Sequence, residues 1–227
     1  MNQIEAKAVV TPWGYEQEYP TVDGKTIAAH LSEWMASENE TDCEWLYPAW
    51  GNALLVTAEK NLIWHLIDCE DTVNVPILVC EDDLDLSCIV VLAKIRKTQN
   101  RVYWDAVGFW RKEHCTDDIR LYGILHHESY SDEDWVRYGG NIACAEIDSE
   151  QWRQWIGDHW EEENRRRMMN YIKPHLQDDS DVLWVAYPHW SFDREQYEKC
   201  VDDFRKRLKE QETDFILGEV NDGKNDL

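Results

Sequence analysis

Apolar residues recur at two periods along this chain, and the changes between them mark out its elements. After a polar opening with turn signals at Pro12, Gly14, Pro20 and Asp23-Gly24, the spacing of Ile27, Leu31, Trp34 and Met35 predicts a helix near 26–37. From residue 53 the pattern reads as β: two β-branched and aromatic runs, 53–57 and 62–67, flank Glu59-Lys60-Asn61 and predict a hairpin. Further strands are predicted at 75–79, 88–95, 102–110 and 119–127, and their short connections make them an antiparallel meander. Ser131-Asp132-Glu133-Asp134 has capping-box spacing and opens a short helix bearing Trp135, Val136 and Tyr138, which Gly139-Gly140 ends. A strand follows at 141–147. From Asp148 the longest helical pattern begins, with Trp152, Trp155, Ile156 and Trp160 on one side, and it runs past Met168, Met169 and Tyr171 before Pro174. A strand at 182–187 and a last helix at about 194–211 complete the ordered part, the helix carrying Tyr197, Val201, Phe204 and Leu208 at i, i+4, i+7 and i+11. Strands followed by helices predict an α+β fold: a largely antiparallel curled sheet with helices packed on one side. It is expected to form one domain over 1–218, with a flexible acidic tail over 219–227.

Charge changes this picture more than hydrophobicity does. The 227 residues hold 46 Asp plus Glu against 23 Lys plus Arg, a formal charge of −23, while 43% hydrophobic residues and 13 Trp supply ample core. Direct nucleic-acid binding is disfavoured, because neutralising phosphates needs a basic face. No apolar stretch approaches the roughly 20 residues of a bilayer span, and the start lacks a secretory signal pattern, so a cytoplasmic chain without a membrane role is expected. Seven cysteines, with no CxxC pair and an odd total, fit neither a disulfide framework nor a zinc ribbon and read as small reduced core residues.

Little in the chain points to catalysis. His126-His127-Glu128 is the densest histidine cluster, but adjacent strand residues point to opposite faces, and HExxH spacing is lacking. There is no GxSxG elbow, no GxxxxGK[ST] loop and no GxGxxG, so neither a catalytic residue, a metal nor a cofactor is assigned. Arg165-Arg166-Arg167 fan over about 200° of a helix, too wide for one phosphate, and are expected to pair with Glu161–Glu163 one turn earlier. Trp152, Trp155 and Trp160 are expected to face the core.

The acid clusters carry the functional information. Residues 31–93 hold 13 acidic residues against the single cation Lys60, in groups set between apolar segments where turns belong. The bland reading is a solubilising surface. The functional reading is a negative face that docks a basic partner, with charge complementarity speeding association and aromatic neighbours supplying anchors. Its expected residues are Glu81, Asp82, Asp83 and Asp85, then Asp132, Glu133 and Asp134, with Trp45, Tyr47 and Trp50 in an exposed loop as anchors.

In length, acidity, Trp and Tyr content and lack of an active-site motif, the chain resembles the stand-alone immunity proteins of bacterial polymorphic toxin systems. The segments Tyr130–Trp135 and Tyr138–Asn141 have the look of a family motif within it. The resemblance implies a cytosolic inhibitor, not an enzyme, that neutralises a cognate basic toxin domain by tight one-to-one occlusion of its active site. Two other readings stand beside it: a phage-type DNA mimic that disables a defence protein, and an enzyme with a dispersed carboxylate or histidine site.

Overall fold

The computed structural model describes residues 1–11, 14, 16–36, 43–50, 54, 56–111, 129–142 and 150–222, without the side chains of 138–142, 151–153 and 211–222. An α+β architecture is observed, built on antiparallel sheet. Strands β1 (Ile4–Val10), β2 (Glu16–Val22) and β3 (Lys25–Thr26) form a small sheet in which Ile4 faces Val22 and Val10 faces Glu16. The β2–β3 link is the two-residue turn Asp23-Gly24, with φ of 50° and 83°. Left-handed backbone at both positions matches the twist of a tight hairpin, and Asp and Gly tolerate it. The Asp23 carboxylate also accepts from the Gln3 N–H at 2.8 Å, fastening the turn to the start of the chain. Helix α1 (Ile27–Met35) follows directly, with the Thr26 hydroxyl capping Ala29 N–H at 3.1 Å.

The larger sheet has the order β4 (Tyr47–Pro48), β5 (Val73–Val79), β6 (Val90–Lys97), β7 (Arg101–Trp110), β8 (Val182–Ala186). Its ten-residue strand β7 serves two partners along one edge: Val107–Trp110 pair with β8, and Arg101–Trp104 with β9 (Trp190–Asp193). β5 is buried along its whole length, so Val, Ile and Leu run through it without polar alternation. One apolar cluster runs from Ile4 through the sheet to Leu208. It includes Tyr197, Val201, Phe204 and Leu208 of α7 (Arg194–Asp222), the face expected from their spacing.

The structure corrects several expectations. Residues 57–68 are not part of a hairpin but form helix α2 (Thr57–Asp68), whose buried positions Glu59, Leu62, Ile63, Leu66 and Ile67 fall at i, i+3, i+4, i+7 and i+8. The β-branched content of that segment reflects burial, and the periodicity is helical. The polar opening holds two unexpected strands, β1 and β2, with Pro20 lying in β2 opposite Ala6 and not in a turn, while Asp23-Gly24 does form the turn its sequence signals. Gly139 and Gly140 do not stop α3 (Asp132–Ile142), which keeps helical backbone through both and takes in the first two residues of the expected strand 141–147. A glycine weakens a helix but ends it only when the chain turns left-handed there.

The long pattern after 148 divides into α4 (Glu150–Asp158), α5 (Trp160–Arg167), a π-helical stretch Met168–Ile172 and α6 (Lys173–Leu176). Its first break is at His159, whose backbone leaves the helical region at φ −121° and ψ 22°. Pro174 sits inside α6, not after the helix. The widened turn before it, where Lys173 N–H reaches back five residues to Met168 O, relieves the contact a proline ring makes with the preceding turn. Helix α7 runs to Asp222, so the helix expected at about 194–211 extends to 222. The expected strand 119–127, the His126-His127-Glu128 cluster, Cys115, Cys144, 143–147 and 223–227 lie outside the described residues. No helix among the described residues is long and apolar enough to cross a membrane.

Candidate functional site

The β5–β6 connection is the most acidic turn described, and the core holds it in place. Cys80 N–H donates to Ile89 O at 3.0 Å to close it, and Leu84 N–H returns to Cys80 O at 3.3 Å. Leu84 adopts φ of 49°, a left-handed conformation that costs an ordinary residue about 1–2 kcal/mol. Two contacts with the body offset that strain. Leu86 is buried in the core, and its N–H donates to the buried Glu59 carboxylate of α2 at 3.1 Å. Asp85 accepts from Ser87 N–H at 2.6 Å, an Asx-type contact within the turn.

This anchored frame exposes Asp82 and Asp83, the latter also accepting from the Cys80 thiol at 3.9 Å, with Glu81 and Asp85 half-buried beside them. None of the four is in an ion pair with a cation among the described residues. The expectation that they share one exposed turn is met. Ile89, exposed at the end of the turn, adds an apolar edge that the sequence reading did not single out.

Asp132, Glu133 and Asp134 lie apart, in the first turn of α3. Asp132 and Glu133 point to solvent, where the helix N-terminus favours negative charge. Asp134 is occupied: its carboxylate accepts from Ser131 N–H at 3.1 Å and Ser131 Oγ–H at 2.8 Å, while Ser131 Oγ accepts from Asp134 N–H at 3.2 Å. Arg166 Nε lies 3.3 Å from the same carboxylate. Burial works against the charged form, yet the hydrogen bonds from Ser131 and the Arg166 guanidinium hold this carboxyl below its usual range. Asp134 therefore serves the fold as the closing member of a capping box, and only Asp132 and Glu133 remain open to a partner.

Beneath this helix is a buried charged cluster. Glu163 accepts from Tyr130 O–H at 2.9 Å, from Arg166 Nη1 at 2.8 Å and from Arg167 Nε at 3.1 Å. Burial and the Glu163 carboxylate push the Tyr130 hydroxyl far above its ordinary range, so it acts as a permanent donor. The expected pairing of the arginine run with acids one turn earlier is present, in the interior for Arg166 and Arg167, not on a solvated face.

The aromatic anchors expected in an exposed loop are turned inward. Trp50 is 0% exposed, donates from Nε1 to Pro76 O at 3.1 Å and packs edge-on to Trp104 and Phe204. Tyr47 is buried in β4 opposite Val79, and Trp45 is half-buried against the core. They dock their own loop onto the sheet. A two-residue strand is too short to show a period, which is why the sequence left this segment looking like a loop. The exposed apolar surface beside the acids instead comes from α3, where Val136 is 88% exposed next to Trp135, one turn from Asp132 and Glu133. The stripe Trp155 and Trp160 is half-buried, with Trp155 stacked on His159 at 4.4 Å, while the Trp152 side chain lies outside the description.

No protein-family model matches the chain. Comparisons with curated proteins and with solved structures also return no match.

A cleft of about 950 Å³ lies between α2 and α5. Its polar lining includes Asn61, His65, Glu161 and Arg165, and His65 Nε2 lies 2.9 Å from Lys173 Nζ. These groups are spread along two helices and do not set a nucleophile against a base, so their arrangement carries no reaction class.

Proposed function

We propose that the protein is an immunity-type inhibitor that binds a basic toxin domain one to one and covers its active site. The observation that carries this reading is the β5–β6 turn: four carboxylates on a loop pinned by Leu86 and Glu59, without a cation partner among the described residues. A pinned acidic turn offers charge at a fixed position, so a cationic partner is oriented before contact and little loop entropy is lost on binding. Asp132 and Glu133, with Val136 and Trp135 beside them, form a second acidic patch with the apolar surface a buried anchor needs. The chain acts by occupying its partner, inside the cell, and turns over no substrate.

The test is affinity capture of the tagged full chain from its native lysate at low and high salt, followed by association kinetics with the retained protein. A basic toxin domain held near one to one supports the reading. Glu81→Lys with Asp82→Lys should then slow association on the order of tenfold at low salt and flatten its salt dependence. Capture of a DNA-binding defence protein would move the function to nucleic-acid mimicry. Identical association rates in both salts would remove the turn from the interface.

A further inference from the structure

The β5–β6 turn also gathers three metal-binding atoms that are not adjacent in sequence. Cys80 Sγ, one carboxylate oxygen of Asp83 and Cys88 Sγ all lie within 4.8 Å of one another, and Cys80 Sγ is 3.9 Å from Asp83 Oδ2. We propose that Cys80, Asp83 and Cys88 form a binding site for a thiophilic divalent cation of the zinc class. Zinc–sulfur bonds of about 2.3 Å in a tetrahedron put neighbouring ligand atoms about 3.8 Å apart, so these three need to close by about 1 Å at most. The spacing C-x7-C is no zinc signature in sequence. The site arises because the hairpin folds the chain back, with Cys80 N–H on Ile89 O and Leu84 in its left-handed conformation just after Asp83.

Two sulfurs and one carboxylate select against magnesium and calcium, which take oxygen ligands, and favour zinc or its spectroscopic substitute cobalt. Neither cysteine is in a disulfide, and Cys80 is buried while Cys88 is half-buried. Burial, the Cys80 thiol and the Asp83 carboxylate push the Cys88 thiol up to about 11. A divalent ion binds cysteine as thiolate, so its entry releases thiol protons to solvent as the metal–sulfur bonds form, with no oxidant involved. Glu81, Asp82 and Asp85 around the turn add negative potential that draws a cation in. Three protein ligands leave one coordination position for water, and the turn is held from behind by Leu86 and Glu59 whether or not it also docks a partner. This inference stands independently of the docking reading.

The experiment is a cobalt(II) titration of the metal-stripped full chain, kept reduced by a phosphine. The expected result is thiolate-to-cobalt charge-transfer absorption with intense tetrahedral visible bands, saturating at one equivalent and bleached by zinc. Affinity should rise at least about tenfold per pH unit below the thiol range, because protons are displaced. Cys88→Ser and Asp83→Asn, both outside the fully buried core, should each weaken binding by at least about 100-fold, more than loss of an outer-shell partner. Cys69→Ser, beside His65, should leave the titration unchanged. Absent charge-transfer absorption at excess cobalt, or an unchanged titration in both Cys88→Ser and Asp83→Asn, would overturn the site.

Discussion

Glu163→Gln isolates the energetics of the buried charged cluster. The parent carboxylate is 0% exposed and accepts three hydrogen bonds, from Tyr130, Arg166 and Arg167. Glutamine keeps the shape but removes the charge, and it replaces one acceptor oxygen with an NH2 group that faces donors. Arg166 retains Asp134 at 3.3 Å and Glu162 at 3.7 Å, whereas Arg167 loses the negative charge that its Nε meets at 3.1 Å. Removing one partner from a buried pair costs about 3–5 kcal/mol, a large share of the roughly 5–15 kcal/mol that holds a domain folded. Glu162→Gln, which touches the same Arg166 from a more exposed position, should cost less than about 1 kcal/mol. Urea unfolding read by tryptophan fluorescence and by circular dichroism measures both, with equal slopes required before the midpoints are compared. Replacing Glu163, Arg166 and Arg167 together by apolar residues of similar volume should recover much of the loss, since the penalty lies in the uncompensated charge. The reasoning fails if Glu163→Gln falls within about 1 kcal/mol of the parent.

Two further outcomes follow from backbone and protonation. At Gly108 a Cβ would sit 2.7 Å from Trp184 Cα and 2.9 Å from Leu183 C, and also against Leu183 O, all backbone of β8, so Gly108→Ala should cost about 3 kcal/mol or more. Gly157→Ala, at an exposed helical position with open space, should instead stabilise by about 0.5–1 kcal/mol, and denaturant midpoints moving the same way in both would contradict this contrast. Because the Asp134 carboxyl is held below its ordinary value of 3.8, its contribution is present above that value and lost as pH falls through its folded pKa. The deficit of Asp134→Asn against parent should therefore be largest near neutrality and shrink at strongly acid pH, and a pH-independent deficit would count against the assignment.

Where local signals and tertiary packing agree, the fold is legible in the chain. The capping box at Ser131–Asp134, the apolar stripe of α7 and the β-branched and aromatic runs of β5, β6 and β7 each carry one consistent local signal, and each forms as read. Helix α2 misleads because Leu62-Ile63-Trp64 and Leu66-Ile67 are rich in strand-preferring side chains, while the spacing from Glu59 onward is helical; buried Glu59 completes the stripe only if a carboxylate is allowed to face inward. Glu18, Pro20 and Thr21 disguise β2 in the same way. Glu18 is buried because Arg207 of α7 reaches it at 2.8 and 3.0 Å, a partner 189 residues distant. The acidic turn is legible as charge, but its cation-binding geometry is not: separations of three and five residues among Cys80, Asp83 and Cys88 acquire meaning only once the hairpin closes.

The cations explain how so acidic a chain keeps a stable fold. With 46 acids and 23 basic residues, a net 23 negative charges stay uncompensated by Lys and Arg however the ion pairs are shared. The structure commits many of its cations to long-range pairs that join elements: Arg207 to Glu18, Arg194 to Glu70, Arg205 to Asp68, Lys94 to Asp179. Others neutralise the interior at Glu163. Acids left over gather where their mutual repulsion is screened by water, on the β5–β6 turn and at the start of α3. Charge reversal at Glu81 and Asp82 thus removes repulsion without breaking an ion pair, and it should shift stability by no more than about 0.5 kcal/mol. The same loss of charge at Glu163 strikes the interior. The turn can therefore be recharged without disturbing the ion pairs that hold the fold.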